Sequence, residues 1–364
     1  MKKLTRDNID NIKPYEPGKP IDEVKRELGL EEIIKLASNE NPLGVSPLAL
    51  KAMKESLGGV YRYPDGNNYS LRKKLAERFN VDKDNVIVGN GSNEIIELAI
   101  KTFLYEHEQV IISSPDFLIF KLATLQEAGK VLEVPLDNFY CNLDKIYETI
   151  NEKTKMIFLS NPNNPVGTYV EESKLKSFID KVSEDIIIFL DEAYCEFAKN
   201  IAEYPKSLKY LNKPNIIICR TFSKAYGLSG LRLGYGIANK NIIQAMNKAR
   251  QPFNVNILAQ VAGEAALDDE DFLNKTIEVT EAGKIYIYNE LNELGLDYVP
   301  SATNFILINV KRDANEVFKQ LLKRGIIIRS MVSYKLNNWI RVTIGTEEEN
   351  RAFIESLKKV IKGD

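Results

Sequence analysis

The sequence predicts an α/β fold, with a mainly parallel central sheet in a large domain and a smaller α+β domain after it. Three observations predict this. Short apolar, β-branched runs alternate with stretches of helical period. Each run ends in a polar cluster, and ligands in such sheets gather at the carboxyl ends of the strands. After about residue 260 the rhythm changes.

The elements follow in order. Val86-Ile87-Val88, Val110-Ile111-Ile112, Met156-Ile157-Phe158-Leu159, Ile186-Ile187-Ile188-Phe189-Leu190 and Ile216-Ile217-Ile218 read as buried strands. Glu94 to Leu104, Ser173 to Val182 and Ile242 to Arg250 read as amphipathic helices between them. A long charged helix is expected from Asp271 towards Leu294. Then come a strand at Phe305-Ile306-Leu307-Ile308, a helix from Ala314 to Arg324, strands at Ile326-Ile327-Ile328 and Trp339-Ile340-Arg341-Val342, and a last helix from Glu347 to Ile361. The expected division is an N-terminal arm over residues 1–40 packing with the small domain, a large domain over 41–260 and the small domain over 261–364. Repeats and low-complexity tracts are absent.

Bulk properties exclude several function classes. The 364 residues are 44% hydrophobic and 27% charged, a soluble-globular balance. Lys plus Arg is 49 and Asp plus Glu is 51, a net charge of -2 that leaves no footprint for nucleic acid or an acidic membrane. Met1-Lys2-Lys3-Leu4-Thr5-Arg6-Asp7 lacks the apolar stretch of a signal peptide, and no run reaches the length of a membrane span. Cys141, Cys195 and Cys219 lack metal-ligand spacing and read as reduced thiols, so a cytoplasmic location is expected. His107 is the sole histidine. A His-dependent triad or multi-His metal site has almost nothing to work with. Lys, Asp, Tyr, Arg or a cofactor must carry any chemistry.

The strand ends hold the candidates. Gly89-Asn90-Gly91-Ser92-Asn93-Glu94 leads into a helix, and such a turn presents free N–H groups to a phosphate, or is simply a capped turn. Asn161-Pro162-Asn163-Asn164-Pro165-Val166-Gly167-Thr168 makes a rigid loop. Asp191 ends a buried apolar strand, where a carboxylate needs a partner; a protonated pyridine nitrogen would serve, and capping of the next segment is the other reading. Lys224 lies in a small, glycine-rich stretch running from Thr221 through Ser223 to Arg232 and Tyr235. Desolvation there lowers its pKa and frees the amine for attack on a carbonyl.

These motifs, in this order, resemble those of the class I/II (fold-type I) aminotransferases that use pyridoxal phosphate, and within them the histidinol-phosphate aminotransferase family. The resemblance covers nearly the whole chain. Pro14-Tyr15-Glu16-Pro17-Gly18-Lys19-Pro20, Leu36-Ala37-Ser38-Asn39-Glu40-Asn41-Pro42-Leu43-Gly44, Tyr61-Arg62-Tyr63-Pro64-Asp65-Gly66, Ile328-Arg329 and Ile340-Arg341-Val342-Thr343-Ile344-Gly345-Thr346 complete the set.

The resemblance implies roles. Lys224 forms a Schiff base with the cofactor and shuttles the proton. Asp191 keeps the pyridine nitrogen protonated. Tyr194 and Asn164 bond the ring's phenolic oxygen. Gly91, Ser92, Asn93, Thr221, Ser223 and Arg232 hold the phosphate, and Phe117 stacks on the ring, where tyrosine is frequent in the family. Tyr63 reaches the phosphate of a neighbouring subunit, which implies a homodimer with shared sites. Tyr15, Asn39, Asn164, Arg329 and Arg341 face the substrate, and two arginines suit a phosphate dianion. The implied reaction converts L-histidinol phosphate and 2-oxoglutarate into imidazole acetol phosphate and glutamate by ping-pong kinetics. Aminotransferases for phenylalanine and tyrosine share nearly all these motifs, and decarboxylases of threonine phosphate share many. A regulator fused to a DNA-binding module is not expected, because only a short arm precedes the Asn39 segment.

Overall fold

The structure, a computed structural model, describes residues 4–10, 12–14 and 21–363. Thirteen strands form three sheets among these residues. They are β1 (Ile34–Lys35), β2 (Val86–Gly89), β3 (Gln109–Ser114), β4 (Lys130–Pro135), β5 (Thr154–Ser160), β6 (Ile187–Asp191), β7 (Ile216–Thr221), β8 (Gly234–Ala238), β9 (Asp297–Val299), β10 (Phe305–Asn309), β11 (Ile326–Ile327), β12 (Arg329–Ser330) and β13 (Trp339–Thr343).

The main sheet runs in the order β2-β8-β7-β6-β5-β3-β4. Its pairs are parallel except where β8 meets β7 and β2. Apolar side chains on both faces explain the continuous Ile-rich runs. Ile187 and Phe189 pack with the Ser92–Phe103, Leu118–Gln126 and Lys240–Ala249 helices. Ile188 and Leu190 pack on the other face, against the Leu143–Thr149 and Glu172–Lys181 helices. Burying each such side chain stabilises the fold by about 1.5–3 kcal/mol.

A four-stranded antiparallel sheet, β12-β13-β10-β9, lies beside it. Ile306, Ile308, Ile340 and Val342 face the Ala314–Lys323 and Glu347–Lys362 helices. Period-two alternation turns Leu307 and Arg341 the other way. Thr346 and Glu349 close a reciprocal cap on the last helix, a signal readable as Thr-x-x-Glu. β1 pairs in parallel with β11, and Leu36 joins this second core. Arg6 and Asn8 instead donate to the carbonyls of Leu125 and Gln126, on a helix of the main sheet.

The change of rhythm near residue 260 falls inside the Ile257–Ala266 helix, whose Ala259 and Ala262 belong to the first core. The Glu270–Glu293 helix then spans both cores, with Leu273 and Ile277 in one and Ile287 and Leu291 in the other. No chain break separates the two bodies at that point, because one continuous helix runs between them.

Two main-sheet strands carry no apolar run. β4 is an edge strand whose Lys130, Glu133 and Pro135 are exposed. β8 reads Gly-Tyr-Gly-Ile-Ala because the Ser92 turn lies directly on it. A Cβ on Gly234 would sit 2.3 Å from the Ser92 nitrogen. Gly234→Ala should therefore push that turn away and lose roughly 3 kcal/mol or more of unfolding free energy. Gly295→Ala has open space around it at φ +62 and should lose only about 1 kcal/mol. Chemical denaturation of both variants checks the contrast; equal losses would refute the close approach.

Candidate active site

The parallel strands bring their carboxyl ends to one edge. β5 ends at Ser160, β6 at Asp191 and β7 at Thr221, and neighbouring ends are in register at Ser160 with Asp191. β8 returns antiparallel, so its first residue, Gly234, sits between Thr221 and Gly89. These ends and the odd-numbered face of the small sheet enclose a cleft of about 300 Å³. Its walls include Asn39, Ser92, Asn93, Phe117, Asn164, Asp191, Tyr194, Thr221, Ser223, Lys224, Arg232, Arg329 and Arg341. Most residues singled out in the sequence thus share one cavity.

Lys224 is the partly buried base. Its ammonium nitrogen donates to the Ser38 carbonyl at 3.2 Å and lies 5.8 Å from the centre of the Tyr194 ring. Burial first, then the Arg341 charge, brings its pKa down to about 8. A large fraction of the amine is therefore unprotonated at mildly alkaline pH. Asp191 is the buried acid, 4% exposed. The Ala193 N–H donates to its Oδ1 at 3.1 Å, and no ion pair with it forms among the described residues. Burial pushes its pKa up to about 7. A strongly basic nitrogen placed beside it would draw its proton off and be held as a cation.

An anion cradle adjoins these groups. The Ser92–Phe103 helix begins after Gly91, whose left-handed backbone leaves the first helical amides without a side-chain cap. The Arg232 guanidinium packs against Gly91; a Cβ there would come within 2.7 Å of Nη2. Arg232 Nη1 donates to the Ser229 carbonyl at 3.0 Å. The Thr221 hydroxyl accepts from the Ser223 N–H at 3.1 Å, which fixes the turn carrying Lys224.

The small sheet supplies the opposite wall. Arg329 and Arg341 are directly paired positions of β12 and β13. Arg341 Nη1 donates to Asn164 Oδ1, Nη2 donates to the Ala37 carbonyl at 3.1 Å, and the guanidinium lies 5.0 Å over the Phe305 ring. The Asn164 amide oxygen is thus taken, which turns its NH2 end to the cleft. Phe117 stands edge-on to Phe120 at 5.7 Å and presents its ring to the cavity.

Tyr63, Asn39 and Tyr15 were also expected at the site. Tyr63 is 82% exposed and stacks on Phe253 at 4.8 Å, away from this cleft within one chain. Asn39 lines the cleft, but its amide donates to the Tyr194 hydroxyl at 2.8 Å. Tyr15 lies outside the described residues. The cleft also contains Ser38, Glu40, Ser160 and Tyr334, which the sequence did not single out. Ser160 was within reach of the strand-end rule, and Ser38 and Glu40 flank Asn39. Tyr334 carried no signal, ending a single 3₁₀ turn between β12 and β13.

Among the described residues, no group of three His, Cys, Asp or Glu could hold a metal ion, and no helix is long and apolar enough to cross a membrane.

Comparisons with known proteins agree with this geometry. The family described as aminotransferase class I and II matches residues 31–357. The chain is 44% identical to histidinol-phosphate aminotransferase 2 of Carboxydothermus hydrogenoformans, over 99% of both chains. It is 45% identical to the histidinol-phosphate aminotransferase of Desulfotalea psychrophila, over 98% of this chain and 95% of that one. Its fold superposes on the crystal structure of histidinol-phosphate aminotransferase from Sinorhizobium meliloti in complex with pyridoxal-5'-phosphate, with TM-score 0.92 and 26% identity over 100% of this chain and 99% of that one. The chain belongs to the class I and II aminotransferases, in the histidinol-phosphate aminotransferase family.

Proposed function

We propose that this cleft carries out transamination with pyridoxal phosphate, taking L-histidinol phosphate as amino donor and 2-oxoglutarate as acceptor, in histidine biosynthesis. The observation that carries the reading is the partly buried Lys224 and the buried Asp191 lining one cleft beside an uncapped helix N-terminus. The residues fit the cofactor. Asp191 is a buried carboxyl suited to a cationic partner, as a protonated pyridine nitrogen would be. The Gly91, Ser92, Asn93 and Arg232 cradle suits a phosphate, with Thr221 and Ser223 beside it. Tyr194 and the NH2 end of Asn164 suit a phenolic oxygen, and Phe117 suits the ring face.

When bound, pyridoxal phosphate supplies an electrophilic carbon and a sink for electrons. The chain does the rest. Lys224 holds the cofactor through its amine and later takes the proton from the donor's Cα. Asp191 keeps a proton on the ring nitrogen. Arg341 orients the donor's anionic end and, through Asn164, the ring. Arg329, opposite it on the neighbouring strand, adds the second fork that a phosphate dianion needs. Tyr15 would close over the donor. One cofactor serving two half-reactions implies ping-pong kinetics.

The donor is tested by kinetics. The purified enzyme should prefer histidinol phosphate to phenylalanine and tyrosine, with 2-oxoglutarate as acceptor. Arg329→Ala should lower kcat/KM for histidinol phosphate roughly a hundredfold, and far less for phenylalanine. Lys224→Ala should turn over neither. Preference for an unphosphorylated aromatic donor would sink the substrate reading.

We also propose that the enzyme works in the cytoplasm as a homodimer, with Tyr63 reaching the phosphate site of the partner subunit. Leu57, Val60, Tyr61, Tyr63 and Phe253 are exposed apolar side chains, Tyr63 stacked on Phe253, that a second copy would cover. Sedimentation should give a dimer, and Tyr63→Ala should weaken retention of the cofactor. A fully active monomer is the outcome that defeats this assignment.

The buried carboxyls make a pH prediction. Asp191 titrates at about 7 and the neighbouring Asp116 at about 8 in the folded chain, both raised by burial from 3.8. Between those values the folded chain keeps protons that the unfolded chain has released. Their contribution is fully present below about pH 4 and is lost as pH rises through 7 to 8. Lys224 works in the other direction above pH 8, because its pKa is lowered from 10.5 to about 8. Without cofactor, the gain in urea-unfolding stability from Asp191→Asn over the wild type should be smallest below pH 4 and largest at pH 8. No gain at pH 8 would mean that Asp191 titrates like an exposed carboxylate.

A further inference from the structure

Asn39 is a wall of the cleft whose side chain is committed elsewhere. It is 2% exposed and sits at a left-handed φ of 56°. Its Nδ2 donates to the Tyr194 hydroxyl at 2.8 Å. Its Oδ1 accepts from the Thr343 hydroxyl at 3.2 Å, and its N–H donates to that same hydroxyl at 3.0 Å. Its carbonyl accepts from Asn304 Nδ2 at 3.1 Å. With the amide oxygen bonded to Thr343, the end facing Tyr194 is the donor.

We propose that Asn39 is a positioning residue that aims the Tyr194 hydroxyl at the cofactor's ring oxygen and ties that aim to β13, the strand that carries Arg341. The inference rests on the role given to Tyr194 above. A tyrosine hydroxyl has one proton and can also accept. Donation from Asn39 occupies the accepting side and leaves the proton to point into the cleft. It also polarises the O–H and makes it a better donor. Burial pushes the Tyr194 pKa up to about 12, so the proton is present to be donated.

The link to the substrate side is short. Thr343 lies two residues after Arg341 and on the same face of β13. A movement of β13 when an anion binds Arg341 reaches Tyr194 through one threonine and one asparagine. Other groups near Tyr194 are Asp191, Arg341, Tyr334, the Lys224 amine and the Phe305 ring, near-perpendicular at 5.3 Å between ring centres. Asp191, Arg341 and Lys224 have separate roles in the proposed reaction, so the assignment must be separated from them by coupling and not by a single loss of activity.

A double-mutant cycle on the holoenzyme provides that separation. Asn39→Gly removes the side chain and keeps the left-handed backbone at no steric penalty. Asn39→Asp keeps the shape and removes the donor. Three quantities are read: kcat, KM for histidinol phosphate, and the pH at which bound pyridoxal phosphate changes its absorbance. In wild-type background either variant should lower kcat about tenfold, leave KM nearly unchanged and raise the pH of the absorbance change. In a Tyr194→Phe background neither should cause any further change. Equal effects in both backgrounds, or a rise in KM alone, would show that Asn39 touches substrate and would overturn the proposal. An effect of Tyr194→Phe on the absorbance with none from a folded Asn39→Asp would also overturn it, leaving the Tyr194 role intact. An absorbance unmoved by Tyr194→Phe itself would remove the Tyr194 role and this inference with it. Thermal melting of both Asn39 variants checks that the fold is kept.

Discussion

The site depends on one constraint: a lysine and an aspartate are held out of water where two sheets meet. Asp191 ends a parallel strand buried on both faces and Lys224 follows three residues after the end of another, so Asp191 is buried and Lys224 is largely withdrawn from solvent at the floor of the cleft. Their proton affinities move toward each other, down for the lysine and up for the aspartate. An exposed pair would be a cation and an anion at neutral pH and would be inert to a carbonyl. The small sheet is what closes the seam. Removing Arg341 and Phe305 from it would open Lys224 and Tyr194 to water.

This arrangement accounts for what the sequence made legible. Parallel strands buried on both faces need long apolar runs, so β3, β5, β6 and β7 announce themselves. Parallel strands also bring their functional ends to one edge, so Ser92, Asp191 and Lys224 could be gathered from residues far apart in the chain. β4 was hidden because an edge strand must carry charge against aggregation. β8 was hidden because its glycines answer to the helix lying on it, a constraint that comes from the fold and leaves no local pattern.

The limits on reading the site have similar causes. A side chain's residue type shows what it can bond, and its partner is decided by tertiary neighbours. Asn39 has the chemistry of a substrate ligand, and the structure gives its amide to Tyr194 and Thr343 instead. Tyr334 reaches the cleft from a turn with no periodicity. Tyr63 points into solvent within one chain, so its place in a site is a property of an assembly. The strand-end residues were readable because regular structure fixes where they are. Loop residues were readable only where a resemblance supplied what regular structure could not.

The small sheet therefore does more than cover the cleft. β13 carries Arg341 and Thr343 on one face, and the two reach different parts of the site. Arg341 fixes the orientation of Asn164, and Thr343 fixes that of Asn39. Asn164 itself presents a carboxamide NH2 and Asn39 holds the Tyr194 phenol, the two groups that would hold one ring oxygen. Rigid placement of β13 is needed for both, and it comes from Ile340 and Val342 on the opposite face, locked into the second core. Packing at those two residues is thus part of the chemistry. A core substitution that lets β13 tilt would disturb the donor's anion and the cofactor's ring oxygen together, and residues on the main sheet could not restore either one alone.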